Sequence, residues 1–245
     1  MKRIGLIVAY DGTAYAGWQR QNNATTVQGI LEDVLCDLTG EKIETIGASR
    51  TDAGVHALGN VVVFDTATKI PAEKLSYALN QKLPEDIRIQ LSQELPQEFH
   101  PRYADSIKTY EYRILHRKFP MPTERLYSYF YHYPLQVEKM KEATSFLIGR
   151  HDFASFCGAN AQVKSTVRVL TALDIETEGE MIYIRVSGEG FLYNMVRIIV
   201  GTLLEVGKSS YPPEHVKEIL QACNRQESGP TAPAHGLTLM NISYQ

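Results

Sequence analysis

One stretch of this chain, Gly47-Ala48-Ser49-Arg50-Thr51-Asp52-Ala53-Gly54-Val55-His56-Ala57-Leu58-Gly59-Asn60, gathers an arginine, an aspartate, a histidine and three glycines. It reads as a loop between strands, and loops on rigid scaffolds are where catalytic groups concentrate. Arg50 and Asp52 stand two apart, so an extended backbone points both side chains to the same side. A neighbouring guanidinium would keep Asp52 ionised as a reactive carboxylate. Composition alone favours a blander role, an aspartate capping a turn, because Asp is common in Gly-rich loops. His56 follows Asp52 by four residues, which would suit a metal pair on a helix. Gly54 and Gly59 argue against helix there, and the other six histidines show no ligand spacing. A hydrogen-bonded structural histidine is the better reading of His56.

Two further sites invite chemistry. Tyr110 and Tyr112 fall on one face of an expected strand, where aromatic rings can stack on splayed nucleobases. Core packing is the competing reading, and for Tyr112 it should prevail. Arg197 lies inside an apolar run between Val196 and Ile198. A buried cation without a partner is costly, so Arg197 needs a carboxylate. Asp52 is an available one, and that pairing would tie the two halves of the chain together. A solvent-facing Arg197 is the alternative.

These groups must be positioned by regular elements. Ile4–Tyr10 reads as a strand ended by Asp11-Gly12-Thr13. Thr26 is an N-cap, and Val27, Ile30, Leu31, Val34, Leu35 and Leu38 recur at helical spacing up to Gly40. A short strand near Ile43–Gly47, the loop Ser49–Asn60 and the apolar run Val61–Phe64 follow. Pro71 opens a second helix, and Ile87–Leu91 is a strand. The second half starts with a strand at Ser106–His116. A helix containing Val137, Met140, Ala143, Phe146 and Leu147 runs up to Gly149. Thr166–Glu176 and Met181–Ser187 form a hairpin around Glu178-Gly179. Phe191–Val206 is a buried helix, Pro212–Ala222 an amphipathic one, and Leu237–Tyr244 a last strand. The pattern predicts two α+β domains, residues 1–105 and 106–245. No Gly/Ser-rich linker joins them, so a continuous sheet and a cleft between the halves are expected.

Composition narrows the function classes. The chain has 245 residues, 44% hydrophobic and 22% charged, which excludes disorder and a fibrous repeat. Net charge is −3, so any polyanion surface must be a local patch. Residues 1–105 carry 10 Lys/Arg against 14 Asp/Glu, leaving 15 against 14 in residues 106–245. The 3 cysteines contain no CxxC pair and read as small hydrophobes in a reducing cytoplasm. Met1-Lys2-Arg3 before Ile4–Tyr10 imitates a signal peptide, but a buried first strand is the better reading. No apolar run approaches the roughly 18 residues of a membrane span. The G-x-x-x-x-G-K-[ST], G-x-G-x-x-G and G-x-S-x-G patterns are missing from the sequence, so nucleotide hydrolysis, dinucleotide binding and α/β-hydrolase chemistry lose their main support. Cofactor-free chemistry at a carboxylate remains open. A non-catalytic RNA-binding protein is one alternative. A metal-dependent hydrolase using Asp52, His56, His151 and Asp152 is another.

The block Ser49-Arg50-Thr51-Asp52-Ala53-Gly54-Val55-His56-Ala57 resembles the signature of the TruA family of tRNA pseudouridine synthases. So do Tyr10-Asp11-Gly12-Thr13 with Trp18-Gln19, and Thr109-Tyr110-Glu111-Tyr112. His151-Asp152-Phe153 with Phe156, Gly190–Arg197, and Ala232-Pro233 with Gly236-Leu237 extend the likeness to the end of the chain. The resemblance implies two ferredoxin-like α/β domains with a joined, mainly antiparallel sheet and an active-site cleft between them. It implies conversion of uridine to pseudouridine in the tRNA anticodon stem-loop, at positions 38, 39 and 40, by a homodimer without cofactor or metal. Asp52 would be the catalytic nucleophile or base. Tyr110 would stack on the flipped base and assist loss of the C5 proton. Arg197 would ion-pair with Asp52, and Arg50 would contact tRNA or fill the gap left by the flipped base. Arg20, Lys108, Arg150, Lys164 and Arg168 are candidate tRNA contacts, with a solvated surface charge as the alternative for each.

Overall fold

A computed structural model describes residues 1–159 and 163–245. The chain divides into two compact units, Met1–Ser106 with Thr238–Gln245, and Ile107–Leu237. The last strand therefore groups with the first unit. The strands are mostly antiparallel, as expected for a mixed α/β chain.

The first unit runs β1 (Lys2–Tyr10), α1 (Val27–Thr39), β2 (Ile46–Gly47), β3 (His56–Thr66), α2 (Ala72–Asn80) and β4 (Ile87–Leu95). Strand β1 lies between β4 and β3, antiparallel to both. The other edge of β3 is shared. Strand β2 pairs antiparallel with Val62 and Val63, while β10 (Leu237–Tyr244) pairs in parallel with His56 and Ala57. Helix α1 begins where the Thr26 side chain accepts from Gly29 N–H at 3.2 Å, satisfying one of the donors that a helix start leaves orphaned. It ends at Gly40, whose φ of 71° is the left-handed cap that glycine adopts without strain. Its buried face is Val27, Leu31 and Leu35, and that of α2 is Leu75 and Leu79. With Ile4, Leu6, Val8, Val62, Phe64, Ile87 and Ile89 from the strands, these residues form the core of the unit.

The second unit contains β5 (Ser106–His116), β6 (Tyr129–Tyr131), α3 (Val137–Thr144), β7 (Gly149–Asp152), β8 (Val167–Glu178), β9 (Met181–Gly188), α4 (Met195–Gly207) and α5 (His215–Ala222). Strands β5, β9, β8 and β7 follow one another antiparallel, and β6 pairs in parallel with the end of β5. Tyr112, Ile114, Ile182, Ile184 and Val186 are buried on one side of this sheet. Helix α4 buries Ile198, Ile199, Val200, Leu203 and Val206 completely, consistent with its mostly apolar sequence.

Several elements differ from the sequence pattern. Strand β3 starts at His56, well before Val61, because β10 and the end of β1 supply partners for its first residues. Helix α4 starts at Met195 and not at Phe191, since Asn194 takes a left-handed φ of 59° and breaks the run. Helix α3 stops at Thr144, and β6 and β7 are short strands that no periodicity announced. Cys36 and Cys223 are exposed, so only Cys157 is even partly enclosed. The surface of α1, not its core face, carries Cys36.

Candidate active-site loop

Residues 48–55 connect β2 to β3, and their backbone is tied down almost residue by residue. Ala48 N–H donates to Val61 O at 2.7 Å. Ser49 N–H donates to the Asn60 side-chain carbonyl at 3.2 Å, and the Asn60 amide returns a bond to Ser49 O at 3.1 Å. Asn60 is fully buried, so this reciprocal pair satisfies polar groups that would otherwise be stranded. Thr51 O accepts from Trp18 N–H at 3.0 Å, while the Thr51 hydroxyl meets the Tyr10 hydroxyl at 2.7 Å. Asp52 O accepts from Val55 N–H at 3.1 Å, and Gly54 N–H donates to Tyr15 O at 3.3 Å.

Two glycines make this course feasible. Gly54 has φ of 77°, a left-handed turn residue that a β-carbon would strain. Gly47 lies against the buried Trp18 ring, and a β-carbon there would come within 2.6 Å of the indole nitrogen. Tyr15 is anchored in turn by its hydroxyl to Asp86 at 2.7 Å, with its own ionisation suppressed by burial and by that carboxylate. The outcome is a half-buried Asp52 on a rigid turn, between a buried Thr51 and an exposed Ala53.

Two arginines stand at the root of the loop. Arg50 is exposed. Arg102, which the sequence pattern did not single out, donates from Nε to Gly47 O at 2.9 Å. Burial, and then the charge of Arg50, lower its pKa. The only sequence signal for Arg102 was its place in Pro101–Ile107, near the expected joint between halves. His56 is buried, with Nδ1 3.0 Å from Gly12 N and 3.1 Å from Asp11 Oδ1. Such contacts fit a structural histidine. Among the described residues no group of three or more His, Cys, Asp or Glu is arranged to hold a metal ion.

The second unit places its candidates on regular elements. Tyr110 is buried on β5, its ring edge-to-face with Phe191 at 5.1 Å and 83°, a favourable arrangement for two aromatic quadrupoles. Tyr112 is a core residue. Its hydroxyl donates to Pro233 O at 2.8 Å, and burial raises its pKa. Arg197 stands in the first turn of α4, half-buried. Its Nε donates to Ala232 O at 2.7 Å, its Nη1 to Asn194 Oδ1 at 2.9 Å, and its own carbonyl accepts from Ala232 N–H at 3.1 Å. These bonds orient the guanidinium and clamp Ala232 to the helix. Asp52, the partner expected for Arg197, belongs to the other unit.

The expected tRNA-contacting cations differ in their surroundings. Arg20 is matched by Asp33 at 3.0 Å and Glu32 at 3.2 Å, which offset its charge. Arg168 donates to Ser165 O and Val167 O, and burial lowers its pKa. Arg150 and Lys164 are exposed, and Lys108 is half-buried on β5.

The pattern of a family described as tRNA pseudouridine synthase matches residues 6–104 and 143–245. Curated relatives agree over their full lengths. The chain is 49% identical to tRNA pseudouridine synthase A of Thermoanaerobacter sp. (strain X514), covering 100% of both chains. It is 46% identical to the protein of that name from Acetivibrio thermocellus and 44% to that from Brevibacillus brevis, again over 100% of each chain. On these matches, this chain belongs to the tRNA pseudouridine synthase family.

Proposed function

We propose that this protein isomerises uridine to pseudouridine in the anticodon stem-loop of tRNA, at positions 38, 39 and 40, with Asp52 as its catalytic carboxylate. Full-length identity to tRNA pseudouridine synthases supports the reaction class. The observation that carries the residue assignment is the density of hydrogen bonds holding the Asp52 turn. A catalytic group needs such preorganisation.

The chemistry sets the remaining roles. The N1–C1′ glycosidic bond breaks, the uracil turns, and C5 joins C1′; nothing leaves and nothing is added. Asp52 acts as nucleophile at the sugar or as base, while negative charge develops on the departing uracil. The target must first be flipped out of the stem-loop, costing a few kcal/mol. Tyr110 stacks on the flipped base and assists removal of its C5 proton. Arg197 pairs with Asp52 and keeps it ionised and aimed. Arg50 contacts the tRNA backbone or fills the gap left by the base. Lys108, Arg150, Lys164 and Arg168 contact phosphates, and Arg20, already matched by two carboxylates, contributes least. The reading includes two ferredoxin-like domains with a joined sheet, a site that draws on both, a homodimer, and action in the cytoplasm. The strand–helix order of the first unit, with β4, β1, β3 and β2 adjacent in that order, supports its ferredoxin-like part. No helix of the described residues is long and apolar enough to cross a membrane.

The test incubates an unmodified tRNA transcript with wild type and with Asp52→Ala, without added metal, and maps pseudouridine by position. Pseudouridine in the anticodon arm from wild type alone is the expected result. Modification elsewhere would move the substrate site, and an active Asp52→Ala would remove that residue from its role.

A further inference from the structure

Arg102 and Arg50 are two guanidinium groups at the root of the Asp52 loop, and among the described residues neither has a carboxylate partner. Arg102 is held there by its Nε bond to Gly47 O at 2.9 Å. Gly47 is the last residue of β2, three before Arg50. That bond uses Nε, and the two Nη groups remain as further donors. Like charges repel, so a pair brought close without a counter-charge is a poor structural device. The pair is a good receptor for an oxyanion, since guanidinium matches phosphate geometry with parallel N–H donors.

An aromatic step adjoins it. The rings of His100 and Tyr103 stack at 4.1 Å and 18°, and Arg102 N–H donates to His100 Nδ1 at 3.2 Å. Tyr103 is 82% exposed. A large ring held flat by a neighbour and left open to solvent is a platform for another flat group. Cationic fork and open ring side by side are what unpaired RNA asks for, a phosphodiester and a base in succession.

We propose that Arg102, with Arg50, binds an RNA phosphodiester and that the Tyr103–His100 stack receives an unpaired base next to it. This subsite rests on the tRNA reading above. It makes Arg102 and Tyr103 binding residues that hold the RNA strand beside the Asp52 loop, and it assigns them no part in the bond-breaking step.

Salt dependence separates a phosphate contact from a structural role. Each contact contributes about 0.7–0.9 to the slope of log affinity against log salt concentration. Binding of an unmodified tRNA transcript is measured over a range of NaCl concentrations for the full-length wild type, Arg102→Gln, Arg102→Lys and Tyr103→Ala. Arg102→Gln should weaken binding about tenfold at low salt and lower the slope by one contact's worth. Arg102→Lys should keep the slope, because its charge still reaches phosphate. Tyr103→Ala should weaken binding severalfold with the slope unchanged, because stacking releases no counterions.

If Arg102→Gln keeps the wild-type slope, Arg102 only braces Gly47 and the proposal falls, whatever happens to activity. Saturable competition by inorganic phosphate at matched ionic strength, abolished by Arg102→Gln, would make free phosphate the ligand and overturn the RNA assignment. Pseudouridine mapping on the same wild-type preparation keeps the two readings apart. Modification with an unchanged slope sinks the subsite alone. A lowered slope without modification sinks the isomerase reading and leaves an RNA-binding subsite.

Discussion

In the first unit Asp52 rides on a loop whose backbone is bonded to residues 15 and 18 and to β3, whereas in the second Tyr110 and Arg197 stand on a strand and on the first turn of a helix. The loop draws its rigidity from segments distant in sequence, and the strand and helix draw theirs from their own ladders and from the core. Damage to packing far from Asp52 should therefore reach the loop more readily than it reaches Tyr110 or Arg197.

The largest effect expected is from Asp52→Ala, which should reduce the rate of pseudouridine formation by a thousandfold or more, roughly 4 kcal/mol of barrier, while tRNA still binds. A residual rate near wild type would place the chemistry elsewhere. Next comes Trp18→Ala. Deleting a fully buried indole should destabilise the first unit by about 3–5 kcal/mol. Thermal unfolding should then split into two steps, with activity lost in the first. A single shifted transition would show that the units share their stability.

Tyr112→Phe probes the other side of the contrast. It strands the Pro233 carbonyl and should cost about 1–2 kcal/mol of stability with the turnover rate kept. Lost turnover would make Tyr112 more than a core residue. The smallest effect is that of Arg20→Gln. Because Glu32 and Asp33 already offset Arg20, tRNA affinity should change by less than about twofold. A loss comparable to that of Arg168→Gln would show that the ion pairs open when RNA arrives.

Much of the fold was legible in the sequence where the signal was local. The bounds of α1 follow from Thr26, Gly40 and the spacing of Val27, Leu31 and Leu35, and the structure reproduces them. Strand β5 likewise spans Ser106–His116 as its alternation predicted. What escaped was set by distant partners. The early start of β3 depends on β1 and β10. The late start of α4 depends on one left-handed residue, Asn194, inside an apolar run that otherwise reads as helix. At the candidate site, Asp52 and Arg50 could be picked out from residue types and spacing. Arg102 could not, because its bond to Gly47 spans 55 positions and its local sequence carries no chemical pattern. The exposure of Cys36 shows a similar limit, since a helical position near apolar residues does not fix which face a side chain takes.

The shared edge of β3 has a consequence for how the protein is made. Thr238 pairs with His56 and Leu239 with Ala57, so the strand that follows the Asp52 loop directly is flanked by residues synthesised last among those described. During translation β1, β2, β3 and β4 emerge early and can assemble, with Tyr10 of β1 already opposite Ala57, but the second flank of His56 and Ala57 waits for the ribosome to deliver β10. Such high contact order is slow to satisfy. A nascent chain stalled before residue 237 would carry every side chain proposed here for the reaction, yet lack the strand that flanks the residues following the Asp52 loop. Until β10 is made, His56 would lack the ladder partner that Thr238 supplies.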